Sequence, residues 1–106
     1  MLKGPIAFER AMHGIYTSAR NELGYNASIY LRMLHDHGGL GTAKRLINAP
    51  QVSEGYTYLY EHRRLDLTVE ALVIENEKWH HLFEPSEIAR ARQRLQDYEY
   101  NPRQQN

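Results

Sequence analysis

The 106-residue chain contains no cysteine, which excludes a disulfide framework, a thiolate nucleophile and any zinc-finger ligand set. A cysteine-free chain suits a reducing compartment, and a cytoplasmic setting is the expectation. Long apolar runs are missing too: no stretch of ~18 apolar residues is present to span a bilayer, and the opening MLKGPIAFER has no apolar segment of a secretory signal. An excess of charge of one sign is also absent, because thirteen Lys and Arg balance thirteen Asp and Glu. No global field therefore collects nucleic acid or attaches the chain to anionic lipid, and polyanion binding would need a local patch.

What is present suffices for one core. With 42% apolar residues, a chain of this length buries roughly two-thirds of the surface its unfolded form exposes, enough for an independent fold without a metal or a disulfide. The expected organisation is a single all-α domain of five to six short helices over residues 1–100, followed by a disordered tail, NPRQQN, over 101–106. Six His make the net charge sensitive to pH near neutrality.

Phe8, Met12, Ile15, Ala19 and Leu23 recur at steps of three and four, which predicts a helix from Pro5 to Leu23 with Gly24 as its left-handed stop. Asn26 is placed to cap a second helix carrying Ile29, Tyr30, Met33 and Leu34 and ending at Gly38-Gly39. A third, Gly41 to Asn48, buries Ala43, Leu46 and Ile47 and stops before Pro50. Ser53 can cap a fourth segment, Glu54 to His62, where Tyr56, Tyr58 and Tyr60 alternate as a strand would. Helix is favoured because no second alternating segment exists to pair with it. Asp66 or Thr68 caps a fifth, centred on Leu67, Ala71, Leu72 and Ile74. Trp79, Leu82 and Phe83 form an aromatic cluster in a short turn before Pro85 opens the last helix, whose stripe is Ile88, Ala91, Leu95 and Tyr98. The predicted core is Phe8, Met12, Ile15, Leu31, Leu34 and Leu46 from the first half, with Leu59, Leu72, Ile74, Leu82, Ile88 and Leu95 from the second.

Few patterns carry chemistry. His35 and His37 flank Asp36 at a helix end and are weak metal candidates, since side chains two apart on a helix point in nearly opposite directions. Capping of a helix C-terminus, where a partly charged imidazole is favourable, is the preferred account of them. Gly38-Gly39-Leu40-Gly41-Thr42-Ala43-Lys44 superficially resembles a phosphate loop, but it lacks the Gly-Lys-Ser/Thr ending and follows a helix instead of a strand. A Ser elbow, spaced catalytic carboxylates and His-Glu-x-x-His are all missing. No cofactor and no catalytic residue are assigned.

Two surfaces remain. Lys44, Arg45, Arg63, Arg64, Arg90 and Arg94 would make a phosphate-binding patch if the fold gathered them, although Glu87 and Asp97 also lace the last helix with countercharge. Eight Tyr exceed what so small a core needs, and Tyr and Arg are residues that protein interfaces favour. Tyr56, Tyr60, Arg63, Arg64 and Asp66 are the expected protein-interaction residues. Tyr bordering a core with its hydroxyl in water is the alternative account.

The segments HGGLGTAKRLINAP, SEGYTYLYEHRRLDLTVEALVI, WHHLF and SEIARARQRLQDYEY, in that order, resemble a small helical module found in many uncharacterised bacterial proteins. That module occurs alone or attached to larger proteins, some of them similar to restriction-type or HNH nucleases. The resemblance extends from about Phe8 to Tyr100 and rests on Gly38-Gly39, on Arg64-Leu65-Asp66-Leu67-Thr68-Val69-Glu70, on Leu82-Phe83 and on Ala89-Arg90-x-Arg92-x-x-Leu95. It implies an accessory role near nucleic acid or defence systems, and no activity or catalytic residue to carry over. Arg64 departs from the pattern, standing where a Gly would precede Leu-Asp-Leu.

The expectation is thus a non-enzymatic protein-interaction or adaptor module whose partner is another protein. Direct DNA or RNA binding is the alternative, and a small enzyme or metal-binding protein the third reading.

Overall fold

Helix signals and helix ends account for almost the whole architecture. The computed structural model describes residues 5–102, so residues 1–4 of the expected domain and 103–106 of the expected tail lie outside the described residues. Among the described residues there are five α-helices, α1 (Ile6–Leu23), α2 (Ser28–Asn48), α3 (Glu54–Glu61), α4 (Val69–Glu75) and α5 (Pro85–Asp97), with 3-10 turns at Leu65–Leu67 and Glu77–Leu82 and no strand. None of these helices is long and apolar enough to cross a membrane.

Caps decide several boundaries. The Ser53 hydroxyl accepts from the Tyr56 amide at 3.1 Å, so the segment with alternating Tyr is helical. Thr68, not Asp66, caps α4 by accepting from the Ala71 amide at 3.1 Å, because the Asp66 carboxylate is engaged by Arg64. Pro85 opens α5, and Glu84 and Glu87 close a reciprocal capping box there. Asn26 does not cap α2: its side-chain oxygen accepts from the Tyr16 hydroxyl at 2.7 Å, and the N-cap position falls to Ala27.

Three helices end in a similar way, with a left-handed residue followed by a backbone bond reaching back five or six residues. Gly24 (φ 66°) with Tyr25 N–H to Ala19 C=O ends α1. Arg63 (φ 58°) with Arg64 N–H to Leu59 C=O ends α3, and Glu99 (φ 60°) with Tyr100 N–H to Leu95 C=O ends α5.

The expected turn at Gly38-Gly39 is a break within one longer element. Gly38 (φ 74°, ψ 175°) is non-helical, and the second and third predicted helices continue through it as α2. The new start is capped from another helix: the Gly39 amide donates to the Glu9 carboxylate of α1 at 2.7 Å. A β-carbon on Gly39 would approach the Glu9 Cα to 3.1 Å, so the close passage of α1 also favours a glycine there.

The core lies around α4, which touches α1, α2, α5 and both 3-10 turns. Phe8, Met12, Ile47, Val73 and Leu95 are completely enclosed, and Phe8 meets Trp79 and Phe83 edge-on at 5.2 and 5.8 Å between ring centroids. Leu34, Leu59 and Ile74 are buried as expected, while Ile15, Leu46, Leu72, Leu82 and Ile88 pack at its border. Leu31 is not core: it is 37% exposed, and Ile29 beside it is 71% exposed, because Tyr30 takes the inward direction on that turn.

Candidate functional site

Short helices carrying Tyr cannot fill the space beneath them. Where the α1–α2 corner faces α3 and the chain from Leu67 to Glu70, a cavity of about 310 Å³ remains, at the small end of the range for ligand pockets, ~300–1,000 Å³. Tyr16, Tyr25, Tyr30 and Tyr56 line it together with Glu54 and Glu70. Three of these phenols have their hydroxyls bonded elsewhere. Tyr16 donates to Asn26 Oδ1 and Tyr30 to the Met12 carbonyl, each at 2.7 Å, and Tyr56 donates to the Arg94 carbonyl at 3.2 Å. Their contribution to the cavity is therefore ring carbon. Tyr25 stacks on Tyr58, and Tyr58 in turn on His62, both at 4.0 Å.

Burial and nearby carboxyl groups keep the Tyr30 and Tyr56 hydroxyls protonated. Burial pushes the Tyr30 phenol far up, helped by the charges of Glu9 and Glu70. Burial likewise raises Tyr56, with Glu70 adding to the effect and Arg94 opposing it. Glu70 itself is buried on α4, and burial raises its carboxyl above the ordinary range, while its own backbone amide and Arg94 pull the other way. Arg94 Nη1 stands 3.4 Å from Glu70 Oε2, donates to the Leu46 carbonyl at 2.6 Å, and through Nη2 donates to the Ala49 carbonyl. One guanidinium thus joins α4, α5 and the C-terminal end of α2, whose free carbonyls attract a cation.

The structure divides the residues expected for protein interaction. Tyr56 is buried, so it is a wall of the cavity and not a surface contact. Tyr60 is exposed and packs edge-on to Tyr98 at 4.9 Å. Arg63 is exposed at the end of α3. Arg64 is held by Asp66 at 3.0 Å and by Glu22 of α1 at 2.6 Å, and these hydrogen bonds raise its already high pKa.

Nor do the six basic residues make one patch. Lys44, Arg90 and Arg94 gather around the end of α2, but each is engaged: Lys44 with Glu87 at 2.6 Å, Arg90 with the Asn48 carbonyl at 3.1 Å, and Arg94 as above. Arg94 is buried as well, which removes it from any phosphate contact. Arg45 is exposed on α2, and Arg64 belongs to a separate cluster with Glu22 and Asp66.

His35, with 89% of its side chain exposed, contacts Asp36 at 3.2 Å, and His37 is half-buried under Gly41. Among the described residues no group of three or more His, Asp or Glu could hold a metal ion. The glycine-rich stretch offers no phosphate cradle, because the Glu9 carboxylate already occupies the anion position at the Gly39 amide.

Sequence reasoning missed the cavity, its Tyr16 and Tyr30 walls, and the Glu70–Arg94 pair. Two signals pointed that way: Gly55, a residue without a side chain inside a helix of Tyr, and two opposite charges at otherwise apolar helical positions. Comparisons with protein-family models, with curated proteins and with solved structures found no match to this chain.

Proposed function

We propose that this chain is a non-enzymatic protein-interaction module whose tyrosine-lined cavity receives a side chain from another protein. One observation carries the reading: the cavity is walled by four tyrosine rings, three of them with hydroxyls already bonded elsewhere, and Ile29, 71% exposed, stands on its lining. An apolar, preformed recess with an uncovered aliphatic residue beside it is the form taken by sites that bury a partner's anchor residue. The resemblance to modules attached to nuclease-like proteins favours a cytoplasmic adaptor in nucleic-acid processing or defence. Direct DNA or RNA binding has less support, since Lys44, Arg64, Arg90 and Arg94 are engaged by internal partners.

Gly55 allows a clean test. It lines the cavity, and a β-carbon there would meet the Tyr25 hydroxyl at 3.6 Å, ordinary van der Waals contact. Gly55→Leu should fill the recess while α3 persists. Displayed random peptides selected on the native protein are expected to lose at least about tenfold in affinity on Gly55→Leu, the loss of one anchor contact. Peptides that bind both proteins equally, or no selectable peptide at all, would sink the reading.

A further inference from the structure

The lining of the cavity is charged in one direction only. Its two ionisable carboxyl groups are Glu70, which is buried, and Glu54, exposed near the N-terminus of α3, and no Lys, Arg or His is among the lining residues. Four tyrosine rings share the walls. Ring faces attract cations through their quadrupole, and the attraction grows where water is excluded. An apolar stem followed by a positive charge is therefore the chemistry that satisfies the rings and the carboxyl groups together.

Resting on the protein-binding reading above, we propose that the anchor received by the cavity is a lysine side chain of the partner, its methylenes against the tyrosines and its ammonium toward Glu70. The carboxylate decides between the two basic side chains. A guanidinium is recognised best by both oxygens of a carboxylate at once, but Oε2 of Glu70 already faces the Arg94 guanidinium at 3.4 Å. A carboxylate shared in this way, with its own backbone amide bonded to it as well, cannot offer both oxygens to a guanidinium, which favours a compact ammonium. Arg94 does not cancel this preference, because its charge also serves the Leu46 and Ala49 carbonyls at the negative end of α2.

The test uses small probes on the intact, isotope-labelled chain. n-Butylammonium chloride should move the amide resonances of Tyr25, Tyr30, Tyr56 and Glu70 saturably. It should bind about tenfold more tightly than its neutral counterpart n-butanol, and more tightly than n-butylguanidinium. Glu70→Gln, which keeps the shape and an acceptor for Arg94, should erase the advantage of the ammonium over the alcohol. If that variant does not fold, Glu54→Gln at the exposed edge should reduce the same advantage by about half. Equal or tighter binding of n-butanol overturns the proposal, as do resonance shifts confined to other parts of the molecule.

Peptides separate this proposal from the broader reading. Selected peptides that need Gly55 open and lose about tenfold when one lysine becomes norleucine would support both. Peptides that need the cavity but no lysine would overturn the lysine assignment and leave the protein-binding reading standing. Entry of n-butylammonium with no peptide selected would overturn the partner lysine in favour of a small free amine.

Discussion

The two aromatic regions of this small domain are built on opposite principles. Around Phe8, Trp79 and Phe83 the rings meet edge to face and close the space between α1, α4 and α5. Around Tyr16, Tyr25, Tyr30 and Tyr56 the rings border a void. The difference is the hydroxyl. A phenylalanine ring settles wherever packing is densest, whereas a buried tyrosine is positioned by the acceptor its O–H must reach, here Met12 or Arg94 carbonyl oxygen for Tyr30 and Tyr56. Satisfying the polar end at a fixed point leaves the ring where the acceptor dictates, and the space beside it stays open.

The contrast is sharpest under truncation. Phe8→Ala should destabilise the fold by about 3–5 kcal/mol in denaturant unfolding, since the side chain is completely enclosed and its neighbours cannot collapse fully. Enlargement should separate the two regions with opposite signs. Ala91→Leu, in the filled cluster, should cost about 1–3 kcal/mol through overpacking. Gly55→Leu, on the cavity, should raise stability by about 0.5–1 kcal/mol, because a helical glycine is replaced where a β-carbon meets only ordinary van der Waals contact and open space lies beside it. A loss of stability in Gly55→Leu matching that of Ala91→Leu would abolish the distinction.

Hydroxyls give a subtler comparison. Thr42 Oγ1 is buried without a hydrogen-bond partner, whereas the Tyr30 hydroxyl is bonded. The helical carbonyl that would serve Thr42 belongs to Gly38, whose ψ of 175° turns it out of the ladder. Thr42→Val should therefore stabilise by about 1 kcal/mol and Tyr30→Phe destabilise by about the same amount, read from paired thermal melts.

The smallest effect, under about 1 kcal/mol, concerns acid. Although burial raises the Glu87 carboxyl, hydrogen bonds from Lys44, the Glu84 amide and Asn48 outweigh it and leave the pKa below the ordinary 4.5. The stability it contributes is present above that value and is lost as pH falls toward the folded pKa. Glu70, raised by burial, works in reverse: the folded state takes up the proton first, so acidification through that window relieves a buried charge. Glu87→Gln should flatten the acid limb of unfolding and Glu70→Gln should steepen it.

Much of the fold was legible because its signals are local. The Phe8 to Leu23 periodicity, the Ser53 cap and the Pro85 start each act within a turn or two, and the structure has each of them. What escaped depends on partners far along the chain. Asn26 reads as a cap until Tyr16 claims it, and Arg94 reads as a surface cation until α2 and Glu70 enclose it. Left-handed helix ends were visible only where a glycine marked them, at Gly24, and those at Arg63 and Glu99 carry no such mark. The resemblance anticipated a glycine at Arg64, one residue beyond the left-handed position that closes α3.

The break at Gly38 links two segments that sequence would treat as independent. An amide in the first turn of a helix ordinarily exchanges its hydrogen with solvent freely, because nothing within the helix holds it. The Gly39 amide is held instead by a carboxylate on another helix, Glu9 of α1. Its protection is then not a property of α2 at all, and the rate at which that single hydrogen is replaced by deuterium records how often α1 lifts away from the rest of the molecule.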